Sequence, residues 1–198
     1  MCAGRRRNVG TFCTIGAAMP LMDSSIKPGP SLLLRSSDAR VITISSASHR
    51  GGKLRWRDVQ LLERYSPLRA YKQTKMVNVL FTAELNRRLG PSSPVRTVAA
   101  DPGLVDTDIG KKSGARISRW FWSLRRRGGI PPERSAAGIA ALLFDPTVRT
   151  KPDLLWKHAV PLRPDPYALQ EAHGSRLWEI SAKMTGIGEK AGLSSAHS

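Results

Sequence analysis

Residues 66–90 read SPLRAYKQTKMVNVLFTAELNRRLG, and this stretch decides the fold. Ser66 is a typical helix N-cap, Pro67 suits the first helical position, and Gly90 is a typical stop signal. Between them, apolar side chains recur at helical spacing, at Ala70, Val77, Leu80, Phe81, Leu85 and Leu89. The stretch therefore predicts a helix of more than 20 residues, which is long enough to cross a domain.

The segments outward from this helix alternate between predicted strands and predicted helices. The strands are at 40–46, 95–100 and 153–156, and the helices run from about 131 to 144 and from 166 to 183. Such alternation predicts an α/β fold with a parallel sheet. About three strands are few for a parallel sheet covered on both faces, so the prediction is an incomplete doubly wound sheet.

Charge and cysteine content narrow the class of protein. The 198 residues carry a net charge of +17, which suits nucleic acid or an anionic membrane as a partner. No groove-reading motif accompanies the charge, so nucleic acid is the less favoured partner. Cys2 and Cys13 form no disulfide framework and no metal-ligand spacing, and no apolar run reaches the length of a membrane span. The sequence thus predicts a cytoplasmic protein, with membrane association as an alternative.

Three predicted elements bring reactive side chains to one edge of the sheet. Tyr71 and Lys75 are four residues apart, so they share a helix face, and an ammonium beside a phenol favours the phenolate. A phenol in that setting can exchange a proton with a substrate, although a solvated helix face would show the same spacing. Ser46 ends a predicted parallel strand, where ligands of open α/β sheets bind. Pro102-Gly103 ends the next strand on the same edge, and Thr107 follows.

Four segments together resemble the short-chain dehydrogenase/reductase family. They are RVITISS, AYKQTKMVNVLFTAELNRRLG, DPGLVDT and the late segment RLWEISAKMTGI. The similarity runs from about residue 32 to residue 188 and points to the retinol dehydrogenase-like and WW-domain oxidoreductase-like branch. The resemblance implies the C-terminal part of a Rossmann-type fold.

The resemblance also implies a role for each matching residue. Tyr71 would be the general acid or base, Lys75 would bind the nicotinamide ribose, and Ser46 would orient the substrate oxygen. Pro102, Gly103 and Thr107 would hold the nicotinamide end of NAD or NADP. The implied substrate is a small lipophilic alcohol, aldehyde or ketone.

The family's cofactor-binding half has no counterpart before Arg40. No strand, glycine-rich turn and helix unit is found there, and residues 1–30 read as an irregular segment unrelated to the family. The expected organisation is therefore segment 1–30, a C-terminal half-domain over 31–188 and a tail over 189–198. We predict a shortened alcohol–carbonyl oxidoreductase. The alternatives are an inactive remnant or interaction fragment, and a basic nucleic-acid-binding protein.

Residues 111–127 form a basic stretch with aromatic side chains. It contains seven Lys or Arg residues and Trp120, Phe121 and Trp122, and it lacks Asp and Glu. A lid over a lipophilic substrate pocket, a peripheral membrane contact and, as the least favoured interpretation, a nucleic-acid contact all suit this composition. An open-sided sheet also predicts association, and the long helix over 67–89 is the expected contact of a homo-oligomer.

Overall fold

The computed structural model describes residues 33, 35–105, 129–150 and 153–185. The segment 1–30, Thr107, the basic stretch 111–127 and the tail 189–198 lie outside these residues. The predictions made for them therefore stay predictions. Within the described residues, no helix combines the length and the apolar character that a membrane span requires.

The described sheet has four strands in the order β1-β2-β3-β4. They are β1 (Ala39–Ile44), β2 (Val95–Asp101), β3 (Leu155–Lys157) and β4 (Val160–Leu162). The pairs β1–β2 and β2–β3 are parallel, and β3–β4 is antiparallel. The predicted α/β class with a largely parallel sheet is confirmed. The fourth strand was not predicted.

Within the described residues, four α-helices accompany the sheet: α1 (Pro67–Leu89), α2 (Pro132–Phe144), α3 (Thr147–Thr150) and α4 (Glu171–Thr185). The predicted limits of α1 are confirmed, with Ser66 at the N-cap and Gly90 at the C-cap with φ 74°. The predicted start of the last helix, at residue 166, is wrong, because α4 begins at Glu171. Residues Pro166–Leu169 form a separate 3-10 turn, and the backbone of Gln170 is extended before α4 begins.

The core lies on both faces of the sheet. On one face α1 and α4 pack together over β2 and β3, and this cluster contains Met76, Leu80, Leu85, Leu155 and Leu177. On the other face, α2 and α3 contribute to a smaller cluster of Val98, Ala100, Leu142, Val148 and Trp156. Helices on both faces are the arrangement of a doubly wound sheet.

Strand β1 is the outer strand of the described sheet. The amides of Ala39 and Ser45 donate to Pro94 and Ala100 of the β2 side, at 3.1 and 2.7 Å. In a parallel ladder the intervening even-numbered residues direct their amides away from β2. Ile44, at the end of β1, is 38% exposed.

Candidate active site at the strand ends

The site begins where β1 ends. Ser46 follows the strand by two residues and is 9% exposed. Its Oγ accepts a hydrogen bond from the amide of Ser48 at 3.2 Å, which caps the 3-10 turn Ala47–His49. Because the Oγ acts as an acceptor in this contact, its own hydrogen stays available for a substrate oxygen.

Contacts between the end of β1 and α1 bring Lys75 to the same place. The Oγ of Ser45 donates to the backbone oxygen of Lys75 at 2.9 Å, so the strand end is fixed against the helix. The Nζ of Lys75 donates to the backbone oxygen of Ile44 at 3.3 Å. The same oxygen accepts from Nδ2 of Asn78 at 2.8 Å.

Tyr71, Lys75 and Asn78 follow one another along a single face of α1, because they are four and then three residues apart. The Nζ of Lys75 lies 5.6 Å from the centre of the Tyr71 ring. A cation at this distance from an aromatic ring is attracted by its π-electrons. The predicted pair therefore forms a contact and does not merely share a spacing.

Burial sets the electrostatics of Lys75. Loss of water around the ammonium lowers the pKa of Lys75 from its ordinary value of 10.5, and the negative charge of Asp101 opposes this shift without cancelling it. Asp101 ends β2 and is 3% exposed. Its carboxylate is therefore a buried charge near a partly desolvated cation, which is typical of functional sites.

The turn at Pro102-Gly103, which follows β2, borders the candidate site on the side of that strand. The amide of Gly103 donates to Oδ1 of Asp101 at 2.9 Å, and the Oγ of Ser135 donates to the oxygen of Pro102 at 2.8 Å. Gly103 has a φ of 77°, in the left-handed region that favours glycine. A Cβ at this position would lie 3.0 Å from Nε2 of His158, so the glycine also permits a close approach.

The structure places the predicted residues Ser46, Tyr71, Lys75, Pro102 and Gly103 at the carboxyl ends of β1 and β2 and on the adjoining helix. The sequence reasoning missed two further contributors, Ser45 and Asn78. Asn78 could have been found, because it lies seven residues after Tyr71 on the same helix face.

His49, three residues after Ser46, has a structural role. It is fully buried, its Nδ1 donates to the oxygen of Ser46 at 2.7 Å, and its Nε2 accepts from the amide of Asp165 at 3.1 Å. Both ring nitrogens are therefore occupied by backbone partners. These bonds fix the turn after Ser46 and leave the imidazole no free nitrogen for a substrate.

The described residues fit one end of a nicotinamide dinucleotide. The ammonium of Lys75 is a hydrogen-bond donor suited to the hydroxyl groups of a ribose. The backbone of the Pro102-Gly103 turn offers a surface suited to a nicotinamide ring. Within the described ranges, no glycine-rich turn joins a strand to a helix N-terminus, which is the arrangement that holds a pyrophosphate. The fit is therefore confined to the nicotinamide end.

Comparisons with known proteins identify relatives of the chain. Human retinol dehydrogenase 12 is 31% identical over 162 residues, which cover 77% of this chain and 47% of that protein. Human polyprenol dehydrogenase is 36% identical over 118 residues, which cover 59% of this chain and 32% of that protein. No family model matches the chain.

Among solved structures, an uncharacterised protein from Mycobacterium paratuberculosis is 26% identical, with a TM-score of 0.48. The match covers 76% of this chain and 51% of that one.

The parallel sheet covered by helices on both faces, with Ser46 at a strand end and Tyr71 and Lys75 one helical turn apart beside it, places the chain in the doubly wound class of α/β proteins. Within that class, the chain is similar to retinol and polyprenol dehydrogenases, which are members of the short-chain dehydrogenase/reductase family. The chain spans about half the length of the curated relatives it matches first.

Proposed function

We propose that this chain carries the proton-transfer residues of an NAD(P)-dependent oxidoreductase that interconverts an alcohol and a carbonyl compound. The observation that carries the proposal is the contact between Lys75 and Tyr71 on α1, beside the end of β1. It puts a phenol and an ammonium at the sheet edge where open α/β sheets bind ligands.

Each residue has one role in the proposed reaction. Tyr71 gives a proton to the carbonyl oxygen in reduction and takes one from the hydroxyl in oxidation. Ser46 donates its hydroxyl hydrogen to the same substrate oxygen, and Lys75 binds the nicotinamide ribose. Pro102, Gly103 and Thr107 would hold the nicotinamide end of the cofactor. When NAD(P) is bound, it supplies the hydride chemistry.

The proposed substrate is a small lipophilic alcohol, aldehyde or ketone. Two relatives are named for their action on retinol and on polyprenol, which are lipophilic alcohols. The aromatic residues within 111–127 would suit such a substrate as a lid. The same stretch is our proposed peripheral membrane contact, and α1 is our proposed contact in a homo-oligomer.

Titration of the purified chain with NADH and NADPH, followed by nicotinamide fluorescence, tests the proposal. Saturable binding is expected for one of the two. Tyr71→Phe should then abolish turnover of a lipophilic alcohol while leaving cofactor affinity unchanged, because only the phenol oxygen is removed. Turnover that survives in this variant contradicts the proton role.

An interaction fragment without turnover is the second candidate function. The outer strand β1 favours it, because its even-numbered amides face away from β2 and can pair with another chain. Absence of saturable cofactor binding, together with a stable oligomer in sedimentation, supports this second candidate over the enzyme.

A further inference from the structure

A cleft of about 280 Å³ lies beside the first turn of α1. One wall is the loop at 51–53, and the other is the helix start, with Ser66, Arg69 and Lys72. Neither Tyr71 nor Lys75 lines this cleft, so it is separate from the proton-transfer residues.

The charge of the lining is entirely positive. Lys53, Arg69 and Lys72 contribute three cations, and no aspartate or glutamate lines the cleft. Within the described residues, the ion pairs involve other cations, namely Arg40, Arg87 and Arg88. Three cations around one small space repel one another, and a bound anion would remove that repulsion.

Neutral donors at the helix start add to the positive charge. The N-cap Ser66 makes no side-chain cap hydrogen bond, so its hydroxyl is not used to close the helix. The first bond within α1 runs from the amide of Ala70 to the oxygen of Ser66, at 2.8 Å. The amides of Leu68 and Arg69 precede that bond, and such amides commonly bind anions.

The loop wall is held in place by a close backbone approach. A Cβ on Gly52 would lie 2.2 Å from the backbone oxygen of Lys72, so glycine is required for this packing. The amide of Gly52 also donates to the oxygen of His49 at 2.8 Å. The buried turn at His49 thus fixes the position of Lys53 relative to the helix start.

We propose that this cleft binds a phosphate group through Lys53, Arg69, Lys72 and the start of α1. Phosphate combines negative charge with several acceptor oxygens, which matches a lining made of cations, a hydroxyl and amides. A free phosphate and a lipid headgroup share this chemistry. Leu68, which lines the cleft, is 43% exposed, and its apolar side chain suits a lipid surface.

Two variants of equal charge test the proposal on the whole chain. Arg69→Gln with Lys72→Gln removes two cations from the cleft. Arg57→Gln with Lys183→Gln removes two exposed cations elsewhere. Circular dichroism establishes that each variant folds. If the first variant does not fold, Lys53→Gln, on an exposed loop position, replaces it.

Inorganic phosphate is titrated against chloride of equal ionic strength, and the melting temperature reports binding. Phosphatidylcholine vesicles with and without phosphatidic acid are then sedimented with the chain. Phosphate binding weakened roughly tenfold in the cleft variant alone supports a soluble ligand. Loss of phosphatidic acid binding in that variant alone supports a lipid headgroup. No binding in either experiment, or equal binding by both variants, overturns the proposal.

Discussion

Buried charged groups are paired differently on the α1–α4 face of the sheet and at the edge formed by the strand ends. Between α1 and α4, Glu84 is the buried carboxylate, and its side chain is 1% exposed. Arg87 and Arg88 donate to it at 2.6 to 2.9 Å, so its charge is fully paired. At the strand ends, Lys75 is desolvated and its direct bond goes to a neutral backbone oxygen.

This difference indicates what each region does. The α1–α4 face stabilises the domain, because its apolar contacts are extensive and its buried charge is matched. At the strand-end site the ammonium of Lys75 is partly removed from water, which opposes its charged form and lowers its contribution to stability. Substitutions should therefore cost stability on the first face and cost little at the second.

The largest effect is expected from Leu80→Ala. Leu80 is fully buried in the α1–α4 cluster, so its truncation leaves a cavity and should lower the free energy of unfolding by about 2–5 kcal/mol. Leu68→Ala on the same helix is the control, because Leu68 is 43% exposed and should change stability by less than about 0.5 kcal/mol. Urea unfolding of both variants measures the difference. Equal losses would mean that α1 is not packed as described.

Glu84→Gln should have the next largest effect. Burial alone would raise the pKa of Glu84, but the hydrogen bonds from Arg87 and Arg88 outweigh it and lower the pKa below its ordinary value of 4.5. Replacing the carboxylate weakens three charged hydrogen bonds, so a loss of about 1–3 kcal/mol is expected at neutral pH.

The sign of the pH dependence follows from that lowered pKa. The unfolded chain takes up the Glu84 proton at higher pH than the folded chain does, so this contribution is complete above 4.5 and is lost as the pH falls through the folded-state value. Glu84→Gln should therefore flatten the acid side of the stability curve. An acid profile unchanged by the substitution would show that Glu84 is not paired in solution.

At the strand ends, Lys75→Met should change the alkaline side instead. The pKa of Lys75 is lowered in the folded state, so the unfolded chain holds this proton to higher pH. Stability should rise with pH in the alkaline range below 10.5, and Lys75→Met should remove that rise. Lys72→Met, at a neighbouring position on α1, should keep it. Thermal melts across that range measure both variants.

The features that the sequence could predict are those set by residues close together along the chain. Ser66, Pro67 and Gly90 mark the limits of α1, because capping depends on neighbours along the chain. The pair Tyr71 and Lys75 was predictable for the same reason. The bond from Ser45 to the Lys75 backbone was not, because it joins residues 30 apart in sequence and depends on how β1 packs against α1.

Strand β4 shows the opposite case. It is three residues long and contains Pro161, which weakens the strand signal and is tolerated here because β4 lies at a sheet edge. The turn before it uses His158 and Ala159 in left-handed conformations, with φ of 49° and 61°. Two-residue hairpin turns are usually predicted from Asn-Gly or a similar pair, and His158-Ala159 is not such a pair.

That turn supplies the smallest predicted effect, and one of opposite sign. Ala159→Gly relieves a left-handed backbone conformation that an L-residue adopts at a cost, so it should raise the free energy of unfolding by about 0.5 kcal/mol despite the added freedom of the unfolded chain. The same change within α1, Ala83→Gly, should lower it by about 1 kcal/mol, because glycine is a poor helix former. A lower free energy of unfolding in both variants would show that the turn near Gly103 is not strained. Lys75 would then be the destabilising feature of the strand-end region.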